Sequence, residues 1–302
     1  DSGSAIKALF RGPAGTWPNL EGNANLVPVV ANGQVLVASN KQLQIFGLRG
    51  TVTTTALASS RNPSTFGASV TITATVKSKT TGTPTGTVTF QDGTTTLGRA
   101  TLSGGSASFT TATLAAGTHS ITAVYAGDAN FVTSASPVFV QTISPAATST
   151  TLTSAPNPSQ YNQTVVLNAK VRSATGAIPT GKVSFKEGTS TIGTVALTSG
   201  AASLSVSNLK VASHSIVAVY SGSANFSGST SPAITQIVNR ASTTTTLTST
   251  PNPSTRGTAV TFTATVLGAY GGTPSNTVTF KDGTTTIGSV VLSSTSHQIT
   301  FV

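Results

Sequence analysis

Cysteine is absent from all 302 residues, which excludes a disulfide framework and a thiolate metal site. Methionine is absent too. Because translation starts with Met, the sequence is expected to begin after processing or to be a piece of a longer polypeptide. Acids number six against sixteen Lys and Arg, leaving little material for paired-carboxylate catalysis or for the several carboxylates a Ca²⁺ cage wants. Charged residues make up only 7%, against the high-charge composition of a disordered chain. No apolar run reaches the roughly 18 residues of a membrane-spanning helix.

The net charge of +10 is scattered, with no run of Lys or Arg and no interleaving with aromatics. This argues against a nucleic-acid groove. A diffuse positive field instead favours mild attraction to anionic polysaccharide or cell surfaces, acting over about a Debye length. What is abundant is Thr, Ser, Gly and Val, the profile of an all-β chain with many turns.

Self-similarity at a fixed step organises the chain. Asn62-Pro63-Ser64 recurs as Asn157-Pro158-Ser159 and Asn252-Pro253-Ser254, so each step is 95 residues (157 − 62 and 252 − 157). Phe90, Phe185 and Phe280 keep the step, as do Gly98, Gly193 and Gly288. His119 and His214, and Tyr125 and Tyr220, keep it over the first two copies. Within a copy, Val70, Ile72, Ala74 and Val76 alternate with polar residues, as do Ile121, Ala123 and Tyr125. This is the period-2 pattern of half-buried strands. Asp92-Gly93, Gly104-Gly105 and Ala116-Gly117 supply the turns. About seven short strands fit each step, predicting tandem immunoglobulin-like β-sandwiches with Phe90, Ile121, Tyr125, Phe185, Ile216 and Tyr220 inside.

Residues 51–302 resemble the bacterial Ig-like domain repeats of large surface proteins. The likeness rests on the Thr-rich first strands (Thr243 to Thr246), the Asn-Pro-Ser turn, Gly86 to Phe90, His119 to Tyr125 and Gly127 to Phe131. It implies spacing, stalk and adhesion roles in secreted or cell-surface proteins, and no common catalytic site.

The expected organisation is a β-strand segment over 1–50, Ig-like repeats over 51–146 and 147–241, and an incomplete repeat over 242–302 lacking its last two strands. Short joints at Ser144-Pro145-Ala146 and Val238-Asn239-Arg240 predict limited bending between repeats. In the first segment, 25–31, 34–39 and 42–48 read as three strands and resemble the last blade of a quinoprotein-like β-propeller. Counting two steps back from the other end aligns Ile299 with Leu204 and Phe109, and His297 with Ala107 and Ala202.

No catalytic, cofactor or metal residue is assigned, and no cofactor is expected. Asp92, Glu187 and Asp282 share one pre-Gly turn position, explained by local side-chain to backbone bonding. His119 and His214 read as structural, with no periodic acid nearby. Asp128 and Asn130 offer oxygens for Ca²⁺, but Ser223 replaces Asp128 in the second repeat. The expected role is a non-enzymatic extracellular stalk, adhesin or fibre subunit. Head-to-tail polymers would form by β-strand complementation between residues 1–50 of one copy and 242–302 of the next. The alternative is the C-terminal spacer of a larger secreted quinoprotein-like β-propeller enzyme. Carbohydrate binding through aromatics has little to work with, since only Trp17 and four Tyr are available.

Overall fold

The computed structural model describes residues 7–13, 29–31, 34–39, 42–47, 50–293 and 297–302. Among these the chain is β throughout, apart from a short 3-10 turn at Ala269–Gly271. It separates into two compact units, Asp1–Pro145 and Ala146–Val302.

In the first unit, β1 (Lys7–Pro13), β2 (Val29–Ala31), β3 (Gln34–Ser39) and β4 (Gln42–Gly47) form an antiparallel sheet in the order β1-β4-β3-β2. Ala31 lies opposite Gln34 and Ser39 opposite Gln42, the pairings that two-residue connections impose. The sequence predicts three strands here and the structure has four. β1 escapes the pattern because its register shifts between Ala8 and Phe10, which breaks the period-2 alternation. Residues 25–28 and 48, expected at the strand ends, lie outside the described residues.

The rest of this unit is a two-sheet sandwich. Its strands are β5 (Thr53–Ser59), β6 (Ser64–Thr65), β7 (Val70–Ser78), β8 (Thr87–Asp92), β9 (Thr95–Thr101), β10 (Ser106–Thr111), β11 (Gly117–Tyr125), β12 (Ser134–Ala135) and β13 (Phe139–Ser144). One sheet runs β10-β7-β5 and the other β6-β13-β11-β8-β9, with β12 paired to β11. The alternating apolar residues face inward: Val70, Ile72, Ala74, Val76, Val88, Phe90, Ile121, Ala123 and Tyr125 are all buried. Each large one contributes roughly 1.5 to 3 kcal/mol by leaving water.

The recurring polar residues sew the sandwich together. Asn62 donates from Nδ2 to the Val140 carbonyl (2.7 Å), and its Oδ1 accepts the Thr142 amide (2.9 Å), so the Asn-Pro-Ser turn grips β13. Thr53 and Thr55, inward residues of the Thr-rich first strand, both reach Ser134 Oγ at 2.7 Å. These bonds explain why polar residues stand at buried strand positions.

The recurring glycine has an equally local cause. Gly98 lies opposite Phe90, and a Cβ there would sit 2.5 Å from the ring of Phe109, which stacks on Phe90 with centroids 5.8 Å apart. Gly193 likewise faces Leu204 and Gly288 faces Phe301. Gly98→Ala is therefore expected to cost about 1 to 3 kcal/mol through forced movement of a core ring. Denaturant midpoints measure this, and an unchanged midpoint would show that the ring has room to shift.

In the second unit, β14 (Thr148–Ala155), β15 (Ser159–Gln160), β16 (Val165–Ser173), β17 (Lys182–Glu187), β18 (Ser190–Ala196), β19 (Ala201–Val206), β20 (Ala212–Tyr220), β21 (Ser229–Thr230) and β22 (Ile234–Asn239) repeat the design. The sheets are β14-β16-β19 and β15-β22-β20-β17-β18, with β21 on β20. Phe185, Ile216 and Tyr220 are buried. Asn157 grips β22 through the Thr235 carbonyl (2.7 Å) and the Ile237 amide (3.0 Å).

A third set follows: β23 (Thr243–Thr250), β24 (Thr261–Gly268), β25 (Asn276–Asp282), β26 (Thr285–Leu292) and β27 (Gln298–Phe301). They pair as β23-β24-β27 and β25-β26. Leu247 is 59% exposed, whereas its counterpart Leu152 is 7% exposed. The register corrects the count by steps. Ile299 lies opposite Ala264, as Ala107 lies opposite Ala74, and Phe301 takes the place of Phe109. The Val266 amide bonds the His297 carbonyl, as Val76 bonds Gly105 and Val171 bonds Gly200. His297 therefore replaces those glycines, not Ala107 and Ala202, because the connection after Leu292 is two residues longer than that after Leu102.

Candidate functional site

One acid and one histidine meet at a corner of each complete sandwich. Asp92 ends β8 and His119 lies near the start of β11, which the sheet order makes neighbours. His119 Nδ1 donates to Asp92 Oδ2 (2.6 Å), Nε2 donates to the Ala115 carbonyl (2.8 Å), and Asp92 Oδ1 accepts the Ser120 amide (3.0 Å). In the second repeat, His214 makes the same contacts with Glu187 (2.9 Å) and the Lys210 carbonyl (2.8 Å). Two expectations are corrected here. An acid with the same periodicity does stand beside each histidine, and the turn acid bonds across strands instead of locally. The signal was present in the sequence, since acid and histidine are 27 residues apart in both copies.

Both partners of the His119 ring are acceptors, so both ring nitrogens carry protons. Burial opposes that charge and is the largest single influence, but the Ala115 carbonyl and the Asp92 carboxylate together outweigh it and raise the pKa above 6.5. With both ring nitrogens donating, the ring offers no acceptor lone pair for proton abstraction. Chemically it is a clamp between a turn and a strand.

Asp128 is the other organised acid. Its Oδ2 accepts the Thr85 hydroxyl (2.6 Å) and amide (2.9 Å), and its Oδ1 accepts the Asn130 (2.8 Å) and Phe131 (2.9 Å) amides. The Thr85 hydroxyl above all, with these amides, holds the carboxyl well below its usual range against the opposing effect of desolvation. With two bonds to each oxygen, Asp128 ties the loop after β11 to the one before β8. Burial, then the negative charge of Asp128, pushes the nearby Tyr125 hydroxyl up to about 12. Among the described residues, no three His, Cys, Asp or Glu side chains gather to hold a metal. No helix among them is long and apolar enough to cross a membrane.

The two complete sandwiches also answer to a family description. The model of the bacterial Ig-like domain (group 3) matches residues 57–144 and 152–239, more than half of the chain. The chain belongs to this family. A search of curated proteins finds no match. Solved structures similar to these bacterial Ig-like domains include the fibronectin(III)-like modules of CbhA from Clostridium thermocellum, with 21% identity over 62% of this chain and 94% of that one and a TM-score of 0.28. Three N-terminal domains of the outer capsid protein Hoc of bacteriophage RB49 share 15% identity over 79% and 80%, with a TM-score of 0.27. The Escherichia coli adhesin FdeC shares 14% over 75% and 79%, with a TM-score of 0.26. Likeness of this strength carries no conclusion about activity.

In the first Ig-like domain the His119 clamp makes stability depend on pH. The folded pKa of His119 lies above the unfolded value near 6.5, so its contribution is complete below that pH and is lost as pH rises through the folded pKa. An NMR titration should place the His119 midpoint above 6.5, with the melting temperature of the first unit falling across the same range. A midpoint at or below 6.5 would contradict the clamp.

Proposed function

We propose that the chain is a non-enzymatic extracellular spacer or adhesive stalk assembled from bacterial Ig-like domains. The observation that carries this reading is how the reactive groups are used. His119, Asp92 and Asp128 in one repeat, and His214 and Glu187 in the next, are engaged in bonds that join one strand or turn to another. Tandem Ig-like domains of this family support a structural or adhesive role. Intact cells of the source, labelled with antibody to residues 51–241, should stain without permeabilisation, and surface proteolysis should release the epitope. Staining only after permeabilisation would end the extracellular reading. The mass of the native polypeptide separates the two architectures: a chain near 30 kDa favours a processed subunit, and a much larger one the spacer of a quinoprotein-like enzyme.

A second, finer reading adds polymerisation. The edge of β25 away from β26 has no strand beside it among the described residues, whereas β8 and β17 are flanked on both sides. In the N-terminal sheet, β1 and β2 are the two edges. An edge of one copy pairing with β25 of the next would make a heterologous contact, which grows as an open fibre. Deleting residues 1–50 should then abolish polymers in sizing and electron microscopy; fibres that persist without them would remove this reading.

A further inference from the structure

From the outer face of the β14-β16-β19 sheet, we infer that the second repeat carries a binding site for an acidic polysaccharide, centred on Lys170 and Arg172. This deepens the adhesive reading above and rests on it. The charge of the chain is not evenly shared. Residues 147–241 hold six cations (Lys170, Arg172, Lys182, Lys186, Lys210 and Arg240) against one acid, Glu187, so that +5 of the total +10 falls in this one repeat. Glu187 is on the other sheet and is engaged by His214. The β14-β16-β19 face therefore has cations and no acid.

Alternation along β16 fixes which residues point outward. Val165, Leu167, Ala169 and Val171 are buried, which leaves Asn168, Lys170 and Arg172 exposed on one face. Residues two apart on a strand stand about 6.5 to 7 Å apart, so the two cations are close neighbours. Neither forms an ion pair with a described residue. The strand register sets Thr151 beside Lys170, and Thr153 and Ser203 on either side of Asn168. These groups, with Val195 and Ala196 of β18 at the neighbouring edge of the other sheet, line a shallow trough of about 640 Å³, and a second depression of about 300 Å³ continues along the strand past Lys170 to Arg172.

Cations in line with a row of hydroxyls and an amide form the complement of a sugar chain bearing carboxylates or sulfates: the charges meet the anions and the polar row meets the ring hydroxyls. The other repeats act as internal comparisons. At the places of Lys170 and Arg172 the first repeat has Thr75 and Lys77, and the third has Thr265 and Leu267. At the place of Asn168 they have Thr73 and Thr263. The pair of cations is thus particular to one copy of a repeated scaffold, so the fold does not require it.

The test uses the full chain on immobilised dextran sulfate and alginate, with neutral dextran as reference. The double variant Lys170→Gln/Arg172→Gln should lose at least tenfold in affinity, while Lys186→Gln/Lys210→Gln, which removes equal charge from positions lining neither depression, should lose less than threefold. Equal losses in the two variants would overturn the site in favour of the diffuse field of the chain. Binding a DNA oligonucleotide as tightly as the acidic polysaccharides would overturn the assignment of ligand class. No binding to either polysaccharide would overturn the site altogether, and surface labelling of intact cells would still report separately on the stalk reading.

Discussion

Phe185→Ala is expected to destabilise the second repeat by about 3 to 5 kcal/mol. The side chain is fully buried, stands opposite Ala218 on one neighbouring strand and Gly193 on the other, and has no solvent to relax into. The small partners on both strands leave Leu204, which lies over Gly193, as the large neighbour able to shift toward the void, so the cavity closes only in part. A domain has only about 5 to 15 kcal/mol in hand, so the variant should sit near the edge of folding at room temperature. Urea or guanidinium midpoints of the full chain measure the change. As reference, Ser215→Ala, at an exposed position of β20, should change stability by about 0.5 kcal/mol or less. A loss below about 1 kcal/mol for Phe185→Ala would mean that the recurring Phe is not the centre of the core.

The same residue shows why so much of the fold was legible. A repeat that places Phe, Gly and alternating apolar residues at one step repeated twice reveals inward faces without any structure, because a one-residue slip would turn every one of them outward. The resemblance to bacterial Ig-like repeats pointed the same way, and the family match bears it out. Contacts between distant strands were less legible. Asp92 and His119 meet because β8 and β11 are adjacent in the sheet, which neither a turn dipeptide nor local alternation encodes. Their shared spacing in both copies carried the information, but only a rule pairing recurring polar residues would have extracted it. The count by steps failed at Ile299 because two extra residues in one turn leave the strand pattern intact while moving the register. The cationic face of β16 was hidden for a further reason. Lys170 and Arg172 look like scattered charge until the sheet sets Thr151 beside Lys170 and Ser149 beside Arg172.

Residues 242–302, produced as a separate polypeptide, are expected to be unfolded, and to fold when given a peptide copying Ala212–Asn239. The comparison with the second repeat gives the magnitude. There, β20 lies between β17 and β22 and contributes Ile216, Ala218 and Tyr220 to the interior, all essentially fully buried. At roughly 1.5 to 3 kcal/mol for each large side chain, with the edge of β25 that has no neighbour among the described residues added, such a loss rivals the whole stability of a domain. The peptide would offer what the third set is shaped to receive. Phe185 faces Ala218 in the second repeat, so Phe280 should accept the copied Ala218. Asn157 takes the Thr235 carbonyl and the Ile237 amide, so Asn252 should take the same groups from the copied β22. Thr148 and Thr150 both reach Ser229, so Thr243 and Thr245 should reach its copy. Circular dichroism and amide NMR dispersion would follow folding, with a scrambled peptide of the same composition as reference. Cooperative melting of residues 242–302 alone would sink the expectation, as would equal rescue by the scrambled sequence. Rescue by the ordered peptide alone would show that any segment bearing this strand pattern, wherever it lies, can complete the third sandwich by main-chain pairing and a shared core.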